Sequence, residues 1–149
     1  MSILTYANIE DVLTGCFLRQ WADRTPVILK NQLQEDIAPD TEAWVRLSVL
    51  KTANRQSSLG TVGNRRFVRV GRVFVQIYVR SGEQTSLLNE LCSAVVDMFE
   101  TFCEYPELRI LQIRQQDEPD GATPTAKVTA DGAWFGSLIN VQFAFDEVK

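Results

Sequence analysis

Apolar residues recur along this chain with two different periods, and the switches between them mark out its elements. From residue 5 to 22, Ile9, Val12, Leu13, Cys16, Phe17 and Gln20 fall at helical spacing, while Glu10, Asp11 and Arg19 lie elsewhere around the axis. That spacing predicts an amphipathic helix facing a core. Pro26 follows, and Val27 to Leu29 read as a short first strand, with the polar stretch 31–42 as a loop. Residues 43–51 then alternate, Val45, Leu47 and Val49 on one face and Trp44, Arg46 and Ser48 on the other. The run from Val73 to Val79 alternates in the same way, with Phe74, Gln76 and Tyr78 opposite the valines and Ile77. Two half-buried strands joined by a polar segment with Gly60 and Gly63 predict an antiparallel hairpin with a long tip. The odd positions are expected to face the helices, unless a bulge at Gly71 shifts the phase and buries the even set.

Ser81 and Gln84 have the spacing of a capping box. The helix they would open carries Leu88, Leu91, Cys92, Val95, Met98, Phe99 and Phe102 on one stripe and ends before Pro106. Leu108 to Arg114 and residues 134–145 read as further strands, the last with Ile139, Val141, Phe143 and Phe145 on one face. Residues 115–125 form a polar connection. Segregated helices and one-sided strands predict an α+β fold: a mainly antiparallel sheet, two amphipathic helices packed on one face, and a long β-hairpin. Residues 1–149 read as a single domain.

Charge sharpens this picture. The 149 residues carry a net charge of −4, yet from Ala43 to Gly82 every charged residue is basic: Arg46, Lys51, Arg55, Arg65, Arg66, Arg69, Arg72 and Arg80. Acidic residues gather at Glu35, Asp36, Asp40 and Glu42 and again at Asp117, Glu118 and Asp120. One basic hairpin and separate acidic loops suit head-to-tail pairing of subunits. The same arginines would also serve as a solvated edge that keeps strands from aggregating. Sequence-independent nucleic-acid binding, with Phe67, Phe74 and Tyr78 as stacking platforms, is a third reading, opposed by the acidic balance of the whole chain.

Candidate chemistry is sparse. There is no histidine, and Cys16, Cys92 and Cys103 form no C-x-x-C pair, which leaves neither a Ser-His-Asp triad nor a zinc site to build. The cysteines read as buried free thiols. Gly60 and Gly63 lack the Lys-Ser/Thr of a phosphate-binding loop. No cofactor and no enzymatic activity are expected. The opening MSILTYANIEDVL has no basic n-region, and no apolar run reaches membrane-spanning length, so the expected compartment is the cytosol and no membrane partner is expected.

At the hairpin the sequence resembles a known family. Trp44 and Arg46, then Arg55, Gln56, Ser57, Ser58, Leu59 and Gly60, an arginine pair and the strand V-F-V-Q-I-Y-V are similar to the hairpin of the small tail terminator (tail completion) proteins of long-tailed bacteriophages. Gly82 and Leu88 to Phe99 resemble the helix that follows it there. The resemblance runs from about residue 5 to 145, apart from the loop 115–133.

The resemblance implies a hexameric ring on the head-proximal end of the tail tube. Such a ring would stop polymerisation of the major tail tube protein, present a surface to a head–tail connector or stopper protein, and let DNA pass without specific binding. It places the protein in the virion tail, and in the host cytoplasm during assembly. The expected assembly surface is Arg55, Gln56, Ser57, Ser58, Leu59, Gly60, Arg65, Arg66 and Arg69. A head–tail connector or head completion protein is the alternative of the same size and lack of chemistry.

Overall fold

The protein, seen as a computed structural model, is described for residues 4–21, 24–29, 42–80, 85–102, 104–116 and 134–149. Two helices, α1 (Ile9–Trp21) and α2 (Thr85–Glu100), accompany five strands: β1 (Val27–Leu29), β2 (Ala43–Gln56), β3 (Arg66–Arg80), β4 (Leu108–Gln116) and β5 (Trp134–Val148). The strands form one sheet in the order β1-β2-β3-β5-β4. Only the β1–β2 pair is parallel. The architecture is α+β with a mainly antiparallel sheet.

The odd-numbered positions make the core. Val45, Leu47 and Val49 of β2, Val73, Val75, Ile77 and Val79 of β3, and Ile139, Val141, Phe143 and Phe145 of β5 are all buried. They pack with Leu13 and Phe17 of α1 and Leu88, Leu91, Val95 and Phe99 of α2, so both helices cover the same face. A bulge does occur, but at Thr52 in β2, opposite Gly71 and Val70 and beyond the core rows. It leaves the buried phase intact and turns the end of the strand: Arg55, opposite Val68, is carried to the face away from the helices.

Several boundaries move. The first helix starts at Ile9 rather than residue 5, because Thr5 and Asn8 form its cap: Thr5 N–H donates to Asn8 Oδ1 at 2.7 Å and Asn8 N–H to Thr5 Oγ1 at 3.2 Å. Its apolar stripe ends on Trp21, fully buried and stacked on Phe17, while Gln20 is exposed. β2 continues five residues past its expected end, to Gln56. There both faces are solvated, so no alternation signals a strand, yet the backbone stays paired with β3, itself paired with β5. The expected capping box, Ser81 and Gln84, lies outside the described residues, as do Cys103 and the acidic clusters at Glu35, Asp36, Asp40, Asp117, Glu118 and Asp120. No described helix is long and apolar enough to cross a membrane.

At Gly71 two strands and a side chain come into close approach. A Cβ there would stand 2.5 Å from the Leu50 carbonyl oxygen and 2.5 Å from the Phe143 ring tip. Gly71→Ala is therefore expected to cost about 1–3 kcal/mol through overpacking. Chemical denaturation measures it; unchanged stability would show that the β2–β3–β5 contact can open there at no cost.

Candidate assembly surface

The β2–β3 hairpin is built as an arm on a broad base. β3 pairs with β5 along its whole length, out to Arg66 opposite Val148, and a further backbone pair joins Arg65 to Lys149 at 3.1 and 2.8 Å. Only residues 57–65 therefore project past the end of the sheet. Polar contacts shape this tip. Ser57 N–H donates to the Arg66 carbonyl at 2.8 Å, Arg66 N–H donates to Ser58 Oγ at 2.9 Å, and Gln56 Nε2 donates to the Ser58 carbonyl at 2.9 Å. Arg65 Nε donates to the Gly60 carbonyl at 3.0 Å. The turn closes with Asn64 N–H on the Thr61 carbonyl, and Gly63, third in that turn, has φ +97°, a region that glycine enters without a Cβ penalty.

None of this buries the tip's apolar groups. Leu59 is 98% exposed and Val62 84%. Leu59 does not fold back on its own hairpin. Isolated exposed apolar residues are ordinary; here two stand together at the point of a hairpin, with Arg55 and Arg66 exposed beside them.

Arg69 is placed differently from the other candidates. It lies on the helix-facing side, buried, with Nε 3.0 Å from Glu147 Oε2. Its guanidinium also sits 4.9 Å from the Phe67 ring centre and 5.6 Å from that of Tyr6. Glu147 Oε2 accepts a second hydrogen bond from Tyr6 N–H at 3.0 Å. Arg69 is thus taken up inside the subunit, where it fastens the base of the arm to the segment before α1, instead of joining Arg55, Arg65 and Arg66 at the surface. The sequence missed this because the phase of β3 relative to Glu147, 78 residues away, is invisible until register is known.

Register also assembles a basic surface that the sequence concealed. On the face away from the helices, the strand pairings bring Arg46, Arg55, Arg72, Arg109 and Arg114 together, with Asp146 as the one acid among the described residues of that face. Asp146 is paired to Arg109 at 3.3 Å. Two of these arginines come from β4, outside the hairpin; strict alternation would set Arg109 and Arg114 on opposite faces, and the irregularity between Ile110 and Gln112 brings both to this one. Trp44 and Tyr78, expected on this outer face, are on it and are buried there at 0% and 3%. Their rings lie 4.4 Å apart, and Tyr78 stands opposite Gly136, whose missing side chain leaves room for the phenol ring. Burial pushes the Tyr78 hydroxyl up to about 12, against the pull of the Arg46 charge.

One other cluster gathers reactive groups. Cys16 Sγ donates to Glu104 Oε2 at 2.7 Å, and Arg19 Nη2 donates to both, at 3.3 and 3.0 Å. Burial, then the Glu104 hydrogen bond and charge, push the thiol up to about 11. A thiol so raised stays protonated, the reverse of an activated nucleophile. Glu104 is held below the usual carboxylate range chiefly by the Cys16 hydrogen bond, with Arg19 adding to it. Among the described residues no three acidic or cysteine side chains gather as metal ligands.

These raised values fix a pH dependence. The unfolded chain loses the Cys16 proton near 9.0 and the Tyr78 proton near 10.0, where the folded protein still holds both. Stability is expected to fall as pH rises from about 9 toward 12, and Cys16→Ala to remove the first part of that fall. Urea midpoints between pH 7 and 11 test this; a flat profile would refute it.

No known protein family matches this sequence, and no curated protein matches it either. A solved protein chain whose name states no function is similar at 17% identity, over 91% of this chain and 94% of that one, with a TM-score of 0.48. A likeness at that level says nothing about activity.

Proposed function

We propose that this chain is a non-enzymatic assembly protein of a long phage tail, forming a hexameric ring that caps the head-proximal end of the tail tube. In that place it ends growth of the tube and offers a surface to the connector at the head. The observation that carries this reading is the hairpin arm: a broad, β5-backed base bearing a tip with Leu59 at 98% and Val62 at 84% exposure amid arginines. That is also the stretch, Trp44 to Gly60, in which the sequence resembles the tail terminator proteins. A ring of identical subunits needs two different complementary surfaces on each, and a projecting arm is one. Gold labelling of a tagged copy on purified virions tests the place directly. Label at the junction of head and tail is expected; label confined to the head shell or the distal tail would overturn the proposal.

A second reading draws on the outer sheet face. Arg72 and Arg114 make no ion pair there among the described residues, and Leu50 lies in the row of Arg72 and Phe74 in that of Arg114, which suits a phosphate backbone passing over the sheet. Steeply salt-dependent binding of DNA by the isolated subunit would favour it.

A further inference from the structure

The two layers of the fold carry opposite charge. The outer sheet face and the arm are basic, as described, whereas α2 (TSLLNELCSAVVDMFE) has Glu90, Asp97 and Glu100 and no basic residue at all. Between the end of α1 and the middle of α2 runs an open groove of about 440 Å³. Half-buried Ala94 and Met98 supply its apolar surface beside exposed Ser93 and Thr101, Glu90 and Asp97 are its acidic groups, and Gln20 and Arg24 line it from the α1 side. Arg24, the one cation on that side, stands 5.5 Å from the centre of the Trp21 ring.

We infer that this groove receives the hairpin tip of a second copy of the same chain, Leu59 and Val62 against Ala94 and Met98, and Arg55 and Arg66 against Glu90 and Asp97. Three observations single out this occupant. The tip pairs two exposed aliphatic side chains with flanking arginines, and the groove sets the two apolar side chains Ala94 and Met98 beside two carboxylates in a mainly polar lining, so the match is led by charge. The volume lies within the range that concave sites use to enclose a compact group. The tip cannot reach the groove of its own subunit, because β5 holds β3 straight to Arg66 and the nearly complete exposure of Leu59 shows it touching nothing there. An arm on one surface and its receptor on another make a heterologous contact, which propagates from subunit to subunit and closes into a ring when the rotation allows. The contact rests on the homo-oligomeric part of the proposed function, not on the place in the tail.

Two variants of the full chain test it. Leu59→Asp with Arg66→Glu disables the arm and leaves the groove; Glu90→Arg with Asp97→Arg disables the groove and leaves the arm. All four positions are exposed, so both chains are expected to melt like the parent. Sedimentation should show each variant alone weakened in self-association by at least about 100-fold, since like charges now face each other. Their equimolar mixture should associate more tightly than either variant alone, because the unaltered arm of one meets the unaltered groove of the other and the reversed charges attract at the second contact. A single chain with Arg55→Glu and Arg66→Glu joined to Glu90→Arg and Asp97→Arg should assemble again. Assembly of the groove variant like the parent would overturn the inference while leaving a ring by other contacts standing. A parent that stays monomeric at every concentration would overturn it too, as would a mixture of two well-folded variants that associates no more tightly than either alone. A groove variant that self-assembles normally but no longer binds tails would hand the groove to another protein. Restored assembly in the charge-swapped chain, with no label on tails, would uphold the contact and remove the tail from the proposed function.

Discussion

Arg69→Leu is expected to destabilise the protein by about 3–5 kcal/mol, far more than any other single arginine replacement on the hairpin. The reason is the partner left behind. Glu147 is 6% exposed, and without Arg69 its only described donor is the Tyr6 N–H, too little to compensate a buried carboxylate. Arg55→Ala should change stability by no more than about 0.5 kcal/mol, since its side chain is exposed and forms no ion pair among the described residues. The double replacement Arg69→Leu with Glu147→Leu separates the cost of a stranded charge from the worth of the pair. It should recover most of the loss, because removing both ions removes the desolvation that made each costly. Urea denaturation of the three variants decides the matter. A loss below about 1 kcal/mol for Arg69→Leu would mean that water reaches Glu147 once the arginine is gone, and that the base of the arm is not fastened as the geometry implies.

How much of this was legible beforehand depends on which physical signal each feature emits. The core rows were readable because a half-buried strand must alternate: Val45, Leu47, Val49 and Val73 to Val79 announce their inner face residue by residue. The inner row of β5, Ile139 to Phe145, followed for the same reason, whereas in β4 the irregularity between Ile110 and Gln112 breaks the alternation. The arm's length was not readable. From Thr52 to Gln56 neither face is buried, so pairing is carried by backbone hydrogen bonds that leave no imprint on side-chain choice. Trp44 and Tyr78 stand on the outer face that alternation gave them, but alternation assigns a face and not its exposure, and their burial depends on each other and on Gly136 across the sheet. The site divides along the same line. Arg55, Leu59 and Arg66 stand where their local sequence put them, on an exposed tip. Arg69, Arg109, Arg114 and the groove acids Glu90 and Asp97 acquire their roles only from contacts distant in sequence, which periodicity cannot report.

Replacing Arg55 and Leu59 together by Ala is expected to leave folding nearly untouched and to impair capping severely. The stability half follows from exposure: Leu59 is 98% exposed, and Arg55 lies on the solvated end of β2 beyond the bulge. Loss of their side chains removes no buried area and leaves no polar partner unsatisfied, so the melting temperature should move by no more than a degree or two. The assembly half follows from the same exposure read in the other direction. If the tip is the surface through which subunits close around the tube, the variant removes its central apolar contact and one of its charges at once, and truncation of such an anchor commonly costs 2 kcal/mol or more per contact. Multiplied around a ring, that loss should empty the end of the tube. Electron microscopy of tails assembled with the variant should then show tubes of uncontrolled length, or tails that fail to join heads, in place of a single length class. Normal tails in normal numbers would remove the tip from the assembly surface. A large fall in melting temperature would instead show that Leu59 or Arg55 holds the subunit together, and the defect would then be one of folding.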